Sequence, residues 1–138
     1  MVAQSFESPI WAQDSHCKRP NEDKLSNLNH FPRLMWIDWM KELSKFKYAV
    51  HLMPTIAAGT FSLNCAYFGI PCIGNEKVDT QRILFPTLSV DVEDVEKARK
   101  LAIRLKTDLD FYKTCSILAK ENYKKYYAIE TWREGINL

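Results

Sequence analysis

At 138 residues the chain is the size of one domain and is long enough to bury a substantial core. Its 46% hydrophobic and 26% charged residues are those of an ordinary soluble globular protein. The formal net charge of +2, with no stripe of Lys and Arg, excludes a nucleic-acid-binding surface from the expected functions.

Residues 1–33 are polar and mixed, carry Pro9, Pro20 and Pro32, and show no sustained periodicity. They read as an arm with a strand and loops. The opening MVAQSFESPIW lacks the basic and apolar regions of a secretory leader, so none is expected. No apolar run approaches the ~18 residues of a membrane span, and the expected location is the cytoplasm. From Leu34 the pattern sharpens. Leu34-Met35-Trp36 is a short apolar run, after which Ile37, Met40, Leu43 and Phe46 recur at helical spacing with Asp38 and Glu42 on the other face. Trp36 and Trp39 flank this helix start and are expected in core and rim.

The run from Val50 to Asn75 carries the most information. Tyr48 to Met53 reads as a strand closed by Pro54-Thr55, and Ala57-Ala58-Gly59-Thr60 as a turn that opens a helix through Phe68. Gly69 and Pro71 end that helix, and Cys72-Ile73-Gly74 is the next strand. A strand that passes through a glycine turn onto a helix N-terminus can receive phosphate, because free N–H groups and the helix dipole both favour an anion there. Thr60 is expected to cap the helix while the N–H groups around Gly59, Phe61 and Ser62 hold a diphosphate. Thr55, Gly74, Asn75 and Arg82 follow strand ends, where α/β folds bind ligands. Arg82 is the arginine placed to pair with a phosphate, against the plainer reading of a surface arginine. His51, in mid-strand, reads as a core or cleft-edge histidine in preference to a general base.

Beyond Glu76 a helical turn is expected at Asp79 to Leu84 and a brief strand at Leu88-Ser89-Val90. Asp91 is the expected N-cap of a helix whose stripe runs Val92, Val95, Ala98, Leu101, Ala102 and Leu105. Asp108 or Asp110 caps another helix through Tyr126, and a last turn falls around Glu130 to Glu134. Lys113, Lys120, Lys124 and Lys125 read as its solvated face, and Tyr123, Tyr126 and Tyr127 as a group able to pack on a partner domain. Cys17, Cys65, Cys72 and Cys115 form no CxxC pair, and Cys65 and Cys72 read as small core hydrophobes. His16, Cys17 and His30 fit no common metal spacing, so no metal site is expected.

Strands alternating with helices predict an α/β protein: a Rossmann-like three-layer α/β/α half-domain with a short parallel sheet and C-terminal helices. Residues 1–33 form the arm, 34–107 the core and 108–138 a helical extension. In detail, the ordered run resembles the C-terminal, donor-binding domain of GT-B glycosyltransferases. The matching features are Pro54-Thr55, Gly59-Thr60-Phe61, the run Ala66-Tyr67-Phe68-Gly69-Ile70-Pro71, and the later helix after Val90. The resemblance covers residues 34–107 well, 108–138 loosely and 1–33 hardly at all. It implies a nucleotide-diphosphate sugar, UDP- or GDP-linked, as ligand, with no metal or other cofactor required. It also implies an N-terminal acceptor domain or partner chain. Gly59, Thr60, Phe61 and Ser62 would lie on the diphosphate and Asn64 on the ribose, with Thr55, Asn75 and Arg82 lining the cleft.

Two features depart from the family pattern. Many retaining members carry a Glu-Gly-Phe turn and a second Glu on the following helix; here that second position is Asn64, and no acidic residue lies between Tyr48 and Asn75. The family also places basic residues early in this domain, and Arg19 with Lys24 offers a similar spacing without the elements that should follow. The rivals are a non-catalytic interaction or nucleotide-binding module on the same half-fold, and a nucleotide-sugar epimerase-like protein.

Overall fold

The structure, a computed structural model, describes residues 2–13, 20–56 and 58–136. The chain is an α/β protein with two small, all-parallel sheets and C-terminal helices, a Rossmann-like half-domain. In chain order, strands β1 (Ile10–Ala12) and β2 (Leu28–His30) form a separate parallel pair. Helix α1 (Trp36–Leu43) leads to β3 (Ala49–His51), α2 (Thr60–Phe68), β4 (Cys72–Asn75), α3 (Asp79–Leu84) and β5 (Ser89–Val90). Helices α4 (Val95–Thr107), α5 (Leu109–Tyr126) and α6 (Ile129–Ile136) complete the chain. The main sheet has the order β3-β4-β5, with Ala49 opposite Cys72 and Gly74 opposite Ser89.

All four residues of the central strand β4 are buried. Successive strand side chains point to opposite faces, so both faces of β4 are covered. Helix α2 packs on β3 and β4, and α4 packs on β4. Ile73, Leu84, Phe85 and Leu88 are fully buried at this centre, each worth about 1.5–3 kcal/mol over leaving it in water. Cys65 and Cys72 are free, fully buried thiols in the same core, as the sequence predicts.

The arm is tied down more firmly than its composition suggests. Val2 and Phe6 belong to the core, Phe6 stacks on Tyr48 at 4.2 Å, and Tyr48 meets Tyr112 of α5 edge-on. Phe31, just after β2, stands between Trp11, Trp39 and Phe46. Aromatic packing, which has no periodicity to read, therefore holds this segment.

Several expected boundaries move. The strand expected over Tyr48 to Met53 is only Ala49–His51. Past His51 the ladder is replaced by a side chain: Asn75 Nδ2 donates to the Met53 carbonyl at 2.9 Å. Asp91 is not the cap of α4. Its carboxylate accepts from the Glu93 N–H in a tight turn, which moves the helix start on to Asp94, whose Oδ1 accepts from the Lys97 N–H. Asp108, the first of the two expected candidates, does cap α5, accepting from the Phe111 N–H at 2.9 Å. Trp39 is buried and Trp36 exposed, the core and rim positions predicted for them. His16, Cys17, Arg19 and Ala57 lie outside the described residues.

Candidate functional site

Strand β3 delivers the chain toward Gly59, the N-cap of α2, which is left-handed with φ 71° and ψ 26°. Thr60 is therefore the first helical residue and not the cap, and no side chain caps this helix. Among the described residues nothing accepts the backbone N–H groups of Thr60, Phe61 and Ser62; the first bond of the helix runs from the Leu63 N–H to the Gly59 carbonyl. Donors without a partner among the described residues, at the positive end of a helix dipole, favour an anion where they are accessible, as at exposed Thr60.

Glycine at position 59 is required twice over. The positive φ disfavours any side chain, and a Cβ there would lie 1.7 Å from Thr80 Oγ1 and 2.9 Å from Val78 Cγ1. Thr80 Oγ1 donates to the Gly59 carbonyl at 3.2 Å, so the start of α3 closes directly onto the start of α2.

Behind this turn lies a buried polar relay. The Ser62 hydroxyl donates to Gln81 Oε1 at 2.8 Å, and Gln81 Nε2 donates to the Cys72 carbonyl at 2.8 Å. Ser62 and Gln81 are both essentially inaccessible, and a Cβ on Gly74 would sit 2.4 Å from Gln81 Oε1. The Ser62 hydroxyl is thus committed inward, and the residue as a whole is inaccessible, which corrects its expected place on a ligand. Sequence reasoning missed Gln81. The small residues Ser62 and Gly74, which leave it room, were its only signal.

The other predicted residues separate. Phe61 packs at the junction of three elements, 5.2 Å from His51 at the end of β3 and 6.4 Å from Trp39 in α1. Asn64 is 8% exposed, and its side chain has no hydrogen-bond partner among the described residues. Asn75 is buried and spent on the backbone, donating to Met53 and accepting from the Lys77 N–H at 2.9 Å. Thr55 is exposed on the loop after β3. Arg82 is exposed and paired with Asp79 within α3. Burial lowers the pKa of His51 below its ordinary 6.5, so the imidazole is neutral at pH 7. His30 faces Glu22 at 3.2 Å. No group of three or more metal-ligating side chains occurs among the described residues.

Two hollows among the described residues lie elsewhere. One, of about 420 Å³, lies between the arm and α1 and is lined by Trp11, Phe31, Leu34 and Phe46. The other, of about 600 Å³, is at the opposite end of α2, among Tyr67, Tyr123, Tyr127 and Trp132. Neither hollow includes the Gly59 turn, whose chemistry marks it as the candidate site. No known protein-family model matches the chain, and comparison with curated proteins and with solved structures finds no match.

Proposed function

We propose that this chain is the donor-binding half of a GT-B type glycosyltransferase, which holds the diphosphate of a nucleotide sugar at the start of α2. The observation that carries the reading is the uncapped first turn of α2, set behind a left-handed glycine at the C-terminal edge of a parallel sheet. Open α/β sheets bind ligands at that edge. The N–H groups of Thr60 and Phe61 would take the phosphate oxygens, and Asn64 would offer both a donor and an acceptor to a ribose hydroxyl. The chemical contribution is electrostatic: fixed N–H dipoles stabilise the charge that collects on the departing diphosphate. No carboxylate of this segment is placed to act as nucleophile or base, so the acceptor side belongs to another domain or chain.

A second reading, a non-catalytic interaction module, is favoured by the apolar rim at the same edge. Met35, Trp36 and Ile37 at the start of α1, with Met53 and Ile56 after β3, are all exposed. Calorimetric titration with UDP- and GDP-sugars separates the two. Thr60→Asp is the informative variant, because Thr60 is exposed and a carboxylate there suits the helix dipole while repelling phosphate. Binding by the parent chain and loss of heat with Thr60→Asp, at unchanged or higher melting temperature, is the expected result. No heat from any nucleotide sugar sinks the first reading and leaves the interaction module.

A further inference from the structure

At the far end of α2 from the Gly59 turn, five aromatic rings converge on the groove of about 600 Å³. Tyr67 comes from the last turn of α2, Tyr123 and Tyr126 from the end of α5, Tyr127 from the turn that follows, and Trp132 from α6. Tyr67 and Tyr123 meet at 5.6 Å with their planes at 74°, an edge-to-face contact that fixes both rings. Three of the rings are open to solvent: Tyr67, Tyr126 and Trp132. The fold does not need these surfaces covered from within, since the core closes without them.

The electrostatics of the lining are specific. Glu130 is the charged residue among the described groove-lining residues, and no Lys or Arg lines the hollow. Burial first, and then the Asp79 carboxylate, raise the Tyr127 hydroxyl above the ordinary phenol range, so that ring stays neutral. Aromatic faces carry negative quadrupole charge, and several of them beside one carboxylate suit a cation. The protein's own chemistry illustrates this at the margin, where Lys125 Nζ stands 4.9 Å from the Tyr126 ring centroid. A primary ammonium in so open a groove keeps its water. A quaternary ammonium, weakly hydrated and with its charge spread over methyl groups that touch rings, gains most from such a lining.

We infer that the groove between α2, α5 and α6 binds a small quaternary ammonium solute, with the tyrosine rings and Trp132 around the methyl groups and Glu130 facing the charge. This site is independent of the proposed donor cradle and stands whether or not a nucleotide sugar binds.

The test is a ligand-observed and protein-observed NMR titration of the full chain with choline and with tetramethylammonium, following the N-methyl protons and the Trp132 indole N–H. Choline should saturate the groove and shift the Trp132 signal. Its neutral isostere 3,3-dimethyl-1-butanol should bind about fivefold more weakly or worse, because shape without charge forfeits the cation–π term. Glu130→Gln and Trp132→Ala should each weaken choline several-fold, and Trp132→Phe, which keeps a ring, should restore most of the loss. Far-UV circular dichroism of each variant shows that α6 is still formed. Equal binding of the neutral isostere would reduce the groove to a greasy hollow and overturn the proposal. Choline binding that ignores both Trp132→Ala and Glu130→Gln would overturn it as well. Retention on phosphatidylcholine vesicles without binding of free choline would replace the solute with a membrane surface, against the inference.

Discussion

The two ends of α2 are built on opposite plans. At its start, Gly59 is buried against Val78 and Thr80, Ser62 is locked to Gln81, and the site and the scaffold use the same atoms. At its finish, just before the left-handed cap Gly69, Tyr67 projects with more than half its surface exposed toward a groove shared with exposed Tyr126 and Trp132 and half-buried Tyr123 and Tyr127. The groups proposed to meet a ligand at the first end are backbone N–H groups whose direction the packing sets, and a change at exposed Thr60 reaches them without touching the fold. The binding proposed at the second end would fall on side chains, of which Tyr67, Tyr126 and Trp132 lie outside the core. Substitutions of buried Gly59 and of the Ser62–Gln81 pair should therefore cost stability, and those of the exposed rings at the other end should spare it.

The sharpest break is Gly59→Val. The substitution forces a β-branched residue into left-handed backbone and drives its Cβ into Thr80. Strain and overpacking together should cost about 3 kcal/mol or more, seen as a fall in the urea midpoint. Because it destabilises the scaffold along with the turn, this variant does not separate binding from folding, and Thr60→Asp is the cleaner probe. A stability within error of the parent would show that the close approach of α3 to α2 is dispensable.

Gln81→Met comes next. Methionine keeps the volume but leaves the Ser62 hydroxyl and the Cys72 carbonyl without a partner in the core. An unsatisfied buried group costs about 1–3 kcal/mol. Adding Ser62→Ala should cost less than the sum of the two single changes, since the orphaned hydroxyl is then removed as well. Strict additivity in the denaturation data would mean that the relay is not a coupled unit.

The same contrast explains what could be read from the sequence. Helix α2 is found at Thr60–Phe68 and α3 at Asp79–Leu84, where glycine, proline and a short apolar pattern mark the ends. The β3–α2–β4 unit was legible because its punctuation is local. The arm was not, since Phe6, Trp11 and Phe31 are held by rings far away in the chain. The cap of α2 was misplaced onto Thr60 because hydroxyl side chains are good caps, and the space that selects Gly59 comes from Thr80, in another helix. Asn75 was placed at the strand end correctly, but its two bonds to backbone are tertiary facts that no spacing reveals. The tyrosines of α5 stood out as a group; their convergence with Tyr67 and Trp132 depends on how α6 folds back.

A smaller effect probes the edge of the first region by pH. His51 is half-buried against Phe61, and burial lowers its pKa from 6.5. Above pH 6.5 the imidazole is neutral in both folded and unfolded chains and its contribution to stability is complete. As pH falls, the unfolded chain takes the proton first, and stability declines until the folded value is passed. His51→Phe should flatten that part of the profile between neutral pH and the onset of carboxylate titration. Identical slopes for parent and variant, measured as urea midpoints, would remove His51 from the account.

The least effect on stability belongs to the second region. Trp132 is 65% exposed and its indole makes no hydrogen bond among the described residues, so truncation removes little buried surface. Trp132→Ala should shift unfolding by no more than about 0.5 kcal/mol, the usual range for surface positions. A shift that small would show that this exposed tryptophan is not there for the fold. If the variant instead melts several degrees lower, the ring is a strut that pins α6 to α5, and the groove is a by-product of that packing.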